Sequence, residues 1–356
     1  MKNFIIFKFN TFELKMTELE GKDIAIVGAG VVGLSTALSL QEEFPLANVT
    51  IFADKFNDET LSSDAGGIFR PDINVHDDAE RVRTWCKDSL VHFMDIIKSS
   101  NSSQAGIQLV SGYHLSSIFS SFKNKLVEDL LPDWRKLNEK DLKLFPVQLK
   151  GGQFYTAPVV DCRYYLPWMK SKFEENGGTI IKKHISKFEE ISEDYCIIVN
   201  CTGLGAKDLL QDDMLTPIRG QTIKVKAPWI KHFYYSDDVY IIPGVDYVTL
   251  GGVKDYGNWN MKVNKYQQQY IWNTCIELIP SLEKAEILYH WVGLRPYRPS
   301  VRVDAIFVPY RDGYRMIVNN YGHGSHGVAL SWGTAQEAKR IVKQIITRQN
   351  LPLSKL

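Results

Sequence analysis

Apolar and polar positions divide the chain into segments of two different periods. Asp23–Val27 is a short β-branched run, Val31–Glu43 repeats apolar residues at helical spacing, and Val49–Phe52 is a second short apolar run. The chain therefore opens as β-α-β. A further strand is expected over Cys196–Asn200, running into Thr202-Gly203-Leu204-Gly205. Near the end, Met316–Asn319 reads as a strand entering a glycine-rich turn, and Val328–Ile345 follows with helical spacing. Tyr234–Ile242 and Tyr247–Leu250 differ in character. They are rich in aromatic and β-branched residues and punctuated by Gly251-Gly252, so they read as antiparallel strands rather than crossover units. Parallel α/β pieces at the start, middle and end, with β-rich inserts between, predict two intertwined domains.

Composition narrows the class without choosing a function. At 44% hydrophobic and 23% charged, the 356 residues match ordinary globular proteins with sizeable cores. The net charge of +1, without a Lys/Arg run, gives no field for nucleic acid. Five cysteines (Cys86, Cys162, Cys196, Cys201, Cys275) form no C-x-x-C pair, which argues against a disulfide framework or a metal site and fits a reducing compartment. No stretch approaches the roughly 18 apolar residues of a membrane span, and no internal repeat suggests a solenoid. Residues 1–19 read as an N-terminal extension with Met16 as an alternative start, and residues 346–356 as a tail. The tail ends Ser354-Lys355-Leu356, a peroxisomal address that an import receptor reads. This predicts the peroxisome matrix, where oxidases that form hydrogen peroxide are housed.

One local motif carries chemistry. Gly28-Ala29-Gly30-Val31-Val32-Gly33 matches G-x-G-x-x-G between a strand and a helix. Gly28 permits the tight turn, Gly30 lets the backbone approach a pyrophosphate, and Gly33 allows close helix–strand packing. The helix start adds free N–H groups and a positive dipole end. Asp54, after the second strand, is placed to accept from an adenosine ribose. The motif does not separate FAD from NAD.

Other stretches supply that distinction. Val292-Gly293-Leu294-Arg295-Pro296-Tyr297-Arg298-Pro299, Asn320-Tyr321-Gly322-His323-Gly324-Ser325-His326-Gly327 and Trp332-Gly333-Thr334-Ala335 together resemble the signature region of the D-amino-acid oxidase family, FAD enzymes that include D-aspartate oxidases. Leu109-Val110-Ser111-Gly112, Tyr165-Leu166-Pro167-Trp168, Val199–Gly205, Arg219-Gly220-Gln221 and Val248–Gly252 agree, so the resemblance spans about residues 20 to 345. Gly-His-Gly-Ser, Leu-Pro-Trp at 166–168, Trp-Gly-Thr at 332–334 and a short connection from His232 to Tyr240 are similar to the D-aspartate branch. The resemblance implies a Rossmann-type FAD-binding domain (20–70, 151–220 and 291–345) intertwined with a β-rich α+β substrate domain (71–150 and 221–290). It also implies hydride transfer from the substrate Cα to the flavin, an imino acid that hydrolyses to a 2-oxo acid and ammonia, and peroxide from oxygen.

Residue roles follow from the same resemblance. Arg295 matches a carboxylate-binding arginine, for which a guanidinium offers a two-pronged donor set. Tyr240 matches a tyrosine whose hydroxyl supports that carboxylate, and Ser325 a position whose carbonyl accepts the substrate amine. For FAD, Gly28, Gly30, Val31, Val32 and Gly33 are expected at the pyrophosphate, with Asp54 and Lys55 near the adenosine end. Ser62 and Ser63 match hydroxyls near the phosphates and ribityl chain, with Gly67 and Ile68 following. Ile185, Thr202 and Gly203 form a second adenosine-side contact, and Gly324, Ser325, Gly327, Val328 and Ala329, with Arg295, line the isoalloxazine. His323, in the same turn, is expected to be structural.

The pattern also departs from the family. Lys254 stands where the acidic-substrate branch has an arginine, and the lid arginine falls at Tyr234 or Tyr235. Asp72 takes a histidine position, Arg70 an apolar one, and Ala329 lacks a hydroxyl common in the family. Arg70 and Lys254 are therefore expected to hold a side-chain carboxylate, with Tyr235 beside them. A neutral D-amino acid oxidase, a glycine- or sarcosine-type oxidase, a nucleotide-binding protein without turnover and an NAD-dependent dehydrogenase stay open as alternatives, as does the oligomeric state.

Overall fold

A computed structural model describes residues 23–73, 76–119, 124–237, 239–311 and 313–349. The N-terminal extension, Met16 and the terminal tripeptide lie outside these residues. In chain order, β1 (Asp23–Val27), α1 (Val31–Glu43) and β2 (Asn48–Ala53) form the opening β-α-β unit. Next come α2 (Ala79–Lys98), α3 (Ser102–Ala105), β3 (Ile107–Ser116), β4 (Arg135–Lys136), α4 (Glu139–Leu142) and β5 (Gly151–Val160). The middle of the chain holds α5 (Cys162–Glu175), β6 (Thr179–Lys182), β7 (Tyr195–Asn200), α6 (Ala206–Leu209) and β8 (Thr216–Lys226). The remainder is β9 (Phe233–Tyr235), β10 (Tyr240–Pro243), β11 (Val248–Gly251), β12 (Asp255–Tyr256), α7 (Lys265–Leu278), β13 (Glu286–Tyr310), β14 (Gly313–His323) and α8 (Gly327–Gln349).

All fourteen strands belong to one mixed sheet with two halves of different construction. On one side β6, β2, β1, β7 and β14 lie parallel. On the other side β13, β8, β11, β10 and β9 pair antiparallel, and β3 with β5 and β4 extends the sheet. The long strand β13 joins the halves. Its first part, Glu286–Tyr297, pairs with β8, and its last part, Arg302–Tyr310, pairs with β14. Residues 151–220 feed both halves, since β5 lies on the antiparallel side while β6 and β7 lie on the parallel side.

Helix α1 is buried at ten of its thirteen positions, because α5 and α8 cover it while β1 and β2 lie beneath. A helix buried on nearly every side needs such complete cover. Its main core also takes in α2, which starts on the Asp78 carboxylate accepting from the Glu80 and Arg81 N–H groups. A second core lies between α7 and strands β8, β10 and β11. One expectation is corrected here. Tyr234–Ile242 is not one strand but two, because the chain turns back after Tyr235 and pairs Tyr240 opposite it. Ser236 N–H closes the turn on the Val239 carbonyl, and the Asp237 carboxylate accepts from Ser116 and Ser117, which holds this polar stretch out of the ladder.

Candidate active site

The glycine turn lies at the C-terminal ends of the parallel strands, where open α/β sheets bind ligands. Gly28 N–H donates to the Phe52 carbonyl, and Cys201 N–H to the Val27 carbonyl, so β2 and β7 flank the turn. Gly28 has φ +108°, and a Cβ there would come within 2.5 Å of the Cys201 carbonyl oxygen. A Cβ on Gly33 would drive into the Gly28 carbonyl. These two glycines are demanded by the fold itself. Gly30 is different: its backbone is extended, at φ −72° and ψ −179°, and a Cβ would meet only Ser62 Oγ at 3.4 Å. Nothing in the protein requires glycine at that position, whereas a pyrophosphate brought against the backbone does.

Other groups around the turn fit the same cofactor. Leu34 N–H makes the first bond within α1, to the Gly30 carbonyl, so the N–H groups of Val31, Val32 and Gly33 precede it. Val31 N–H donates to Ser62 Oγ at 3.2 Å. Among the described residues the buried Ser63 hydroxyl has no hydrogen-bond partner, a costly state that a phosphate or ribityl oxygen would relieve. Thr202 is fixed through its hydroxyl to Asn200 Oδ1 at 2.7 Å, and Gly203 lies against Pro296, the residue after Arg295. Asp54 and Lys55 are exposed on the outer side, with Asp54 Oδ2 3.1 Å from His184 Nδ1. The Ile185 side chain is buried with Phe52 and Phe188, which leaves its backbone for a ligand.

A second cluster gathers on the antiparallel side. Gly67 bonds to β5, its carbonyl accepting from Val160 N–H at 2.9 Å, and Ile68 bridges to Val159. Phe69 N–H donates to the Pro158 carbonyl, and this anchored loop delivers Arg70. The Arg70 guanidinium stands 4.4 Å over the ring of Tyr235, touches the Tyr155 hydroxyl and lies 3.4 Å from His114 Nε2. Tyr235 in turn stacks on Tyr240 at 5.2 Å, and Tyr240 covers Gly251 across the β10–β11 pair. Of the two lid candidates Tyr235 therefore faces this cluster, while Tyr234 packs against Tyr113 and Phe145. Arg295, near the seam of β13, lays its guanidinium on the backbone of Gly220 and donates from Nη1 to the Val253 carbonyl at 3.2 Å. Lys254 follows directly.

Three cations thus converge from separate segments. Among the described residues no carboxylate lies within the 4.0 Å ion-pair distance of Arg70, Lys254 or Arg295. Solvent reaches Lys254, yet partial loss of hydration, then Arg70 and Arg295, lower the pKa of its ammonium, with Asp72 opposing. Like charges gathered on one side of a site repel one another, so such a cluster favours an anionic ligand. Asp72 is exposed at the rim.

The turn Gly324–His326 connects the clusters. Ser325 is exposed, whereas Val328 and Ala329 are buried in the main core with Ala29 and Val31, just after Gly327 opens α8. His323 is buried, bonded to Thr334 Oγ1 at 3.0 Å and driven down to about 3 by loss of hydration and by His326, so it is a neutral structural group. Beyond Arg70 lies a cavity of about 330 Å³ lined by Asp72, His114, Trp134, Tyr155 and Asp237. Sequence reasoning gave no role to His114, Tyr155 or His326. His326 had a visible signal, an ionisable residue inside a glycine-rich turn, but the partners of all three come from distant segments.

The comparisons with known proteins agree with this geometry. The FAD dependent oxidoreductase family matches residues 23–340. The chain is 37% identical to a D-aspartate oxidase of Homo sapiens over 335 residues, covering 93% of this chain and 98% of the relative. It is 33% identical to a D-amino acid oxidase of Dugesia ryukyuensis, with 92% and 99% covered. In structure it resembles glycine oxidase from Geobacillus kaustophilus, with a TM-score of 0.73 at 17% identity over 92% of this chain and 95% of that one. With the glycine turn, the unpartnered Ser63 hydroxyl and these matches in place, the chain belongs to the FAD-dependent oxidoreductase family.

Proposed function

We propose that this enzyme oxidatively deaminates D-amino acids, acidic ones foremost, to the 2-oxo acid and ammonia. The observation that carries the acidic preference is the convergence of Arg70, Lys254 and Arg295 without a paired carboxylate. An amino acid with a second carboxylate brings two negative charges to these three positive ones. The named relatives, a D-aspartate oxidase and a D-amino acid oxidase, support the same reading.

The residues divide the work of holding the substrate. Arg295 takes the α-carboxylate, its guanidinium kept flat by Gly220 and oriented by the Val253 carbonyl. The Tyr240 hydroxyl, fixed over Gly251 and stacked on Tyr235, donates to the same carboxylate. The Ser325 carbonyl accepts from the amine and sets which Cα hydrogen faces the cofactor. Arg70 and Lys254 hold the side-chain carboxylate. Gly28, Gly30, Val31, Ser62, Ser63 and Thr202 would hold FAD, with Val328 and Ala329 beside its ring system. When bound, FAD supplies the two-electron acceptor for the Cα hydrogen. Fixing the substrate in one pose is this chain's contribution to rate.

Oxygen as final acceptor, with hydrogen peroxide formed, belongs to the same proposal, as does peroxisomal import through Ser354-Lys355-Leu356. A tagged protein lacking that tripeptide should then remain outside peroxisomes. The activity test is peroxide release from D-Asp, D-Glu, D-Met and L-Asp. The proposal expects D-Asp and D-Glu to lead and L-Asp to give nothing; peroxide from none of them would refute it. A second reading, neutral D-amino acids, is favoured by Asp72, whose charge reaches Lys254 and His326. It would show D-Met leading the same panel.

A further inference from the structure

Thr222 has no task in the scheme above, yet it stands in the middle of the groups that perform it. Side chains alternate across a strand, so Gly220, Thr222 and Lys224 share one face of β8. Gln221 and Ile223 take the other face, where Gln221 donates to the Asn264 carbonyl at the start of α7 and Ile223 joins the second core. On the Thr222 face, the Arg295 guanidinium lies over Gly220. Thr222 itself pairs with Gly251, which Tyr240 covers, and with Trp291, whose ring covers Gly293 beside Leu61. The buried Lys224 ammonium donates to the Asp64 carbonyl at 2.8 Å and to Thr249 Oγ1 at 3.1 Å. The Tyr289 hydroxyl, opposite Lys224 on β13, donates to Asp64 Oδ1 at 2.7 Å. Asp64 directly follows Ser62 and Ser63, so this face carries the proposed substrate clamp at one end and the cofactor loop at the other.

Thr222 is only 2% exposed, and among the described residues its hydroxyl has no hydrogen-bond partner. A buried hydroxyl left unpaired costs stability unless a ligand completes it. Ser63, one residue before the Asp64 that Lys224 holds, is in the same state. Two such hydroxyls, one on each side of a single anchor, call for one ligand that reaches both. In FAD the ribityl chain runs directly into the isoalloxazine ring, so a cofactor whose ribityl oxygens meet Ser63 brings its ring towards β8. We propose that the Thr222 hydroxyl is a cofactor-binding group that hydrogen-bonds the isoalloxazine ring of FAD. The oxidised ring presents bare nitrogen and oxygen acceptors, and the reduced ring gains N–H donors. A threonine hydroxyl rotates to donate or to accept, so it serves both states. The inference rests on FAD as the cofactor and not on which amino acid is oxidised.

The test compares Thr222→Val, which keeps the shape and removes the hydroxyl, with Thr222→Ser, which keeps the hydroxyl. Each holoenzyme is diluted while the fluorescence of released FAD is followed, and its absorption spectrum is recorded beforehand. Thr222→Val should raise the FAD dissociation constant about tenfold, near the upper worth of a neutral hydrogen bond, and Thr222→Ser no more than about threefold. The flavin band at about 450 nm should shift in Thr222→Val and hold its place in Thr222→Ser, because a hydrogen bond to the ring alters its electronics. An unchanged dissociation constant and an unshifted band in Thr222→Val would overturn the proposal. So would equal losses in the two variants, which would mark Thr222 as a packing residue. If Thr222→Val keeps FAD and its spectrum but raises KM for D-Asp and D-Met, the hydroxyl belongs to the substrate, and the flavin role is refuted.

Discussion

The two halves of the sheet reach a binding site by opposite routes. On the parallel side, the phosphate cradle is built from one stretch of sequence, Gly28 to Gly33, between a strand and a helix that follow each other directly. On the antiparallel side, Arg70, Tyr235, Tyr240, Lys254 and Arg295 come from five separate places in the chain. The run of pairings from β5 through β3, β9, β10, β11 and β8 to β13 brings them together. The first site is held by backbone geometry and resists change. The second is held by side-chain charges and can be retuned one residue at a time.

Substitutions can break or sharpen this contrast. The largest effect is expected in the cradle. Gly33→Val puts two methyl groups behind a Cβ that already has no room beside the Gly28 carbonyl, so little folded protein should be recovered. Gly30→Val should instead fold, since only Ser62 Oγ is near, but bind FAD at least about a hundredfold more weakly because the backbone can no longer approach the pyrophosphate. Soluble yield, circular dichroism and FAD titration separate the two outcomes. Next is Arg295→Leu, which removes the proposed carboxylate clamp. It should lower kcat/KM for D-Asp by roughly a thousandfold, about 4 kcal/mol, while flavin absorbance is kept.

A smaller, selective effect is expected at Arg70. Arg70→Ala should raise KM for D-Asp about 10- to 100-fold, the worth of a charge-assisted hydrogen bond, and shift KM for D-Met about twofold at most. Equal shifts for the two substrates would show that Arg70 only supports the fold through Tyr235 and Tyr155. The smallest effect belongs to the cradle's rim. Asp54 is exposed and paired only with an exposed His184, so Asp54→Ala should weaken FAD binding less than about tenfold by titration of the apoprotein.

Legibility in the sequence follows the same division. The observed β1 and α1 coincide with the stretches read from periodicity, and α8 begins one residue before its expected start, because each carries a repeating buried face within one continuous stretch of sequence. The Tyr234–Ile242 reading failed because aromatic content cannot locate a turn whose Asp237 is anchored by Ser116 and Ser117, over a hundred residues away. The length of β13 was also hidden, since its two ends face different partners and no single alternation runs through it. The roles proposed for Arg295 and Tyr240 come from family resemblance alone, since no local pattern marks either residue. That Arg70 leans on Tyr235 depends on long-range pairing that no local pattern encodes.

The most direct measurement is anaerobic mixing of the purified flavoprotein with D-Asp, D-Met or L-Asp while following the band at about 450 nm typical of oxidised flavins. The account predicts that D-Asp bleaches the band fastest and at the lowest concentration, that D-Met does so only at much higher concentration, and that L-Asp leaves it unchanged. A band bleached by D-Met more readily than by D-Asp would contradict the claim that Arg70, Lys254 and Arg295 form a site for two carboxylates.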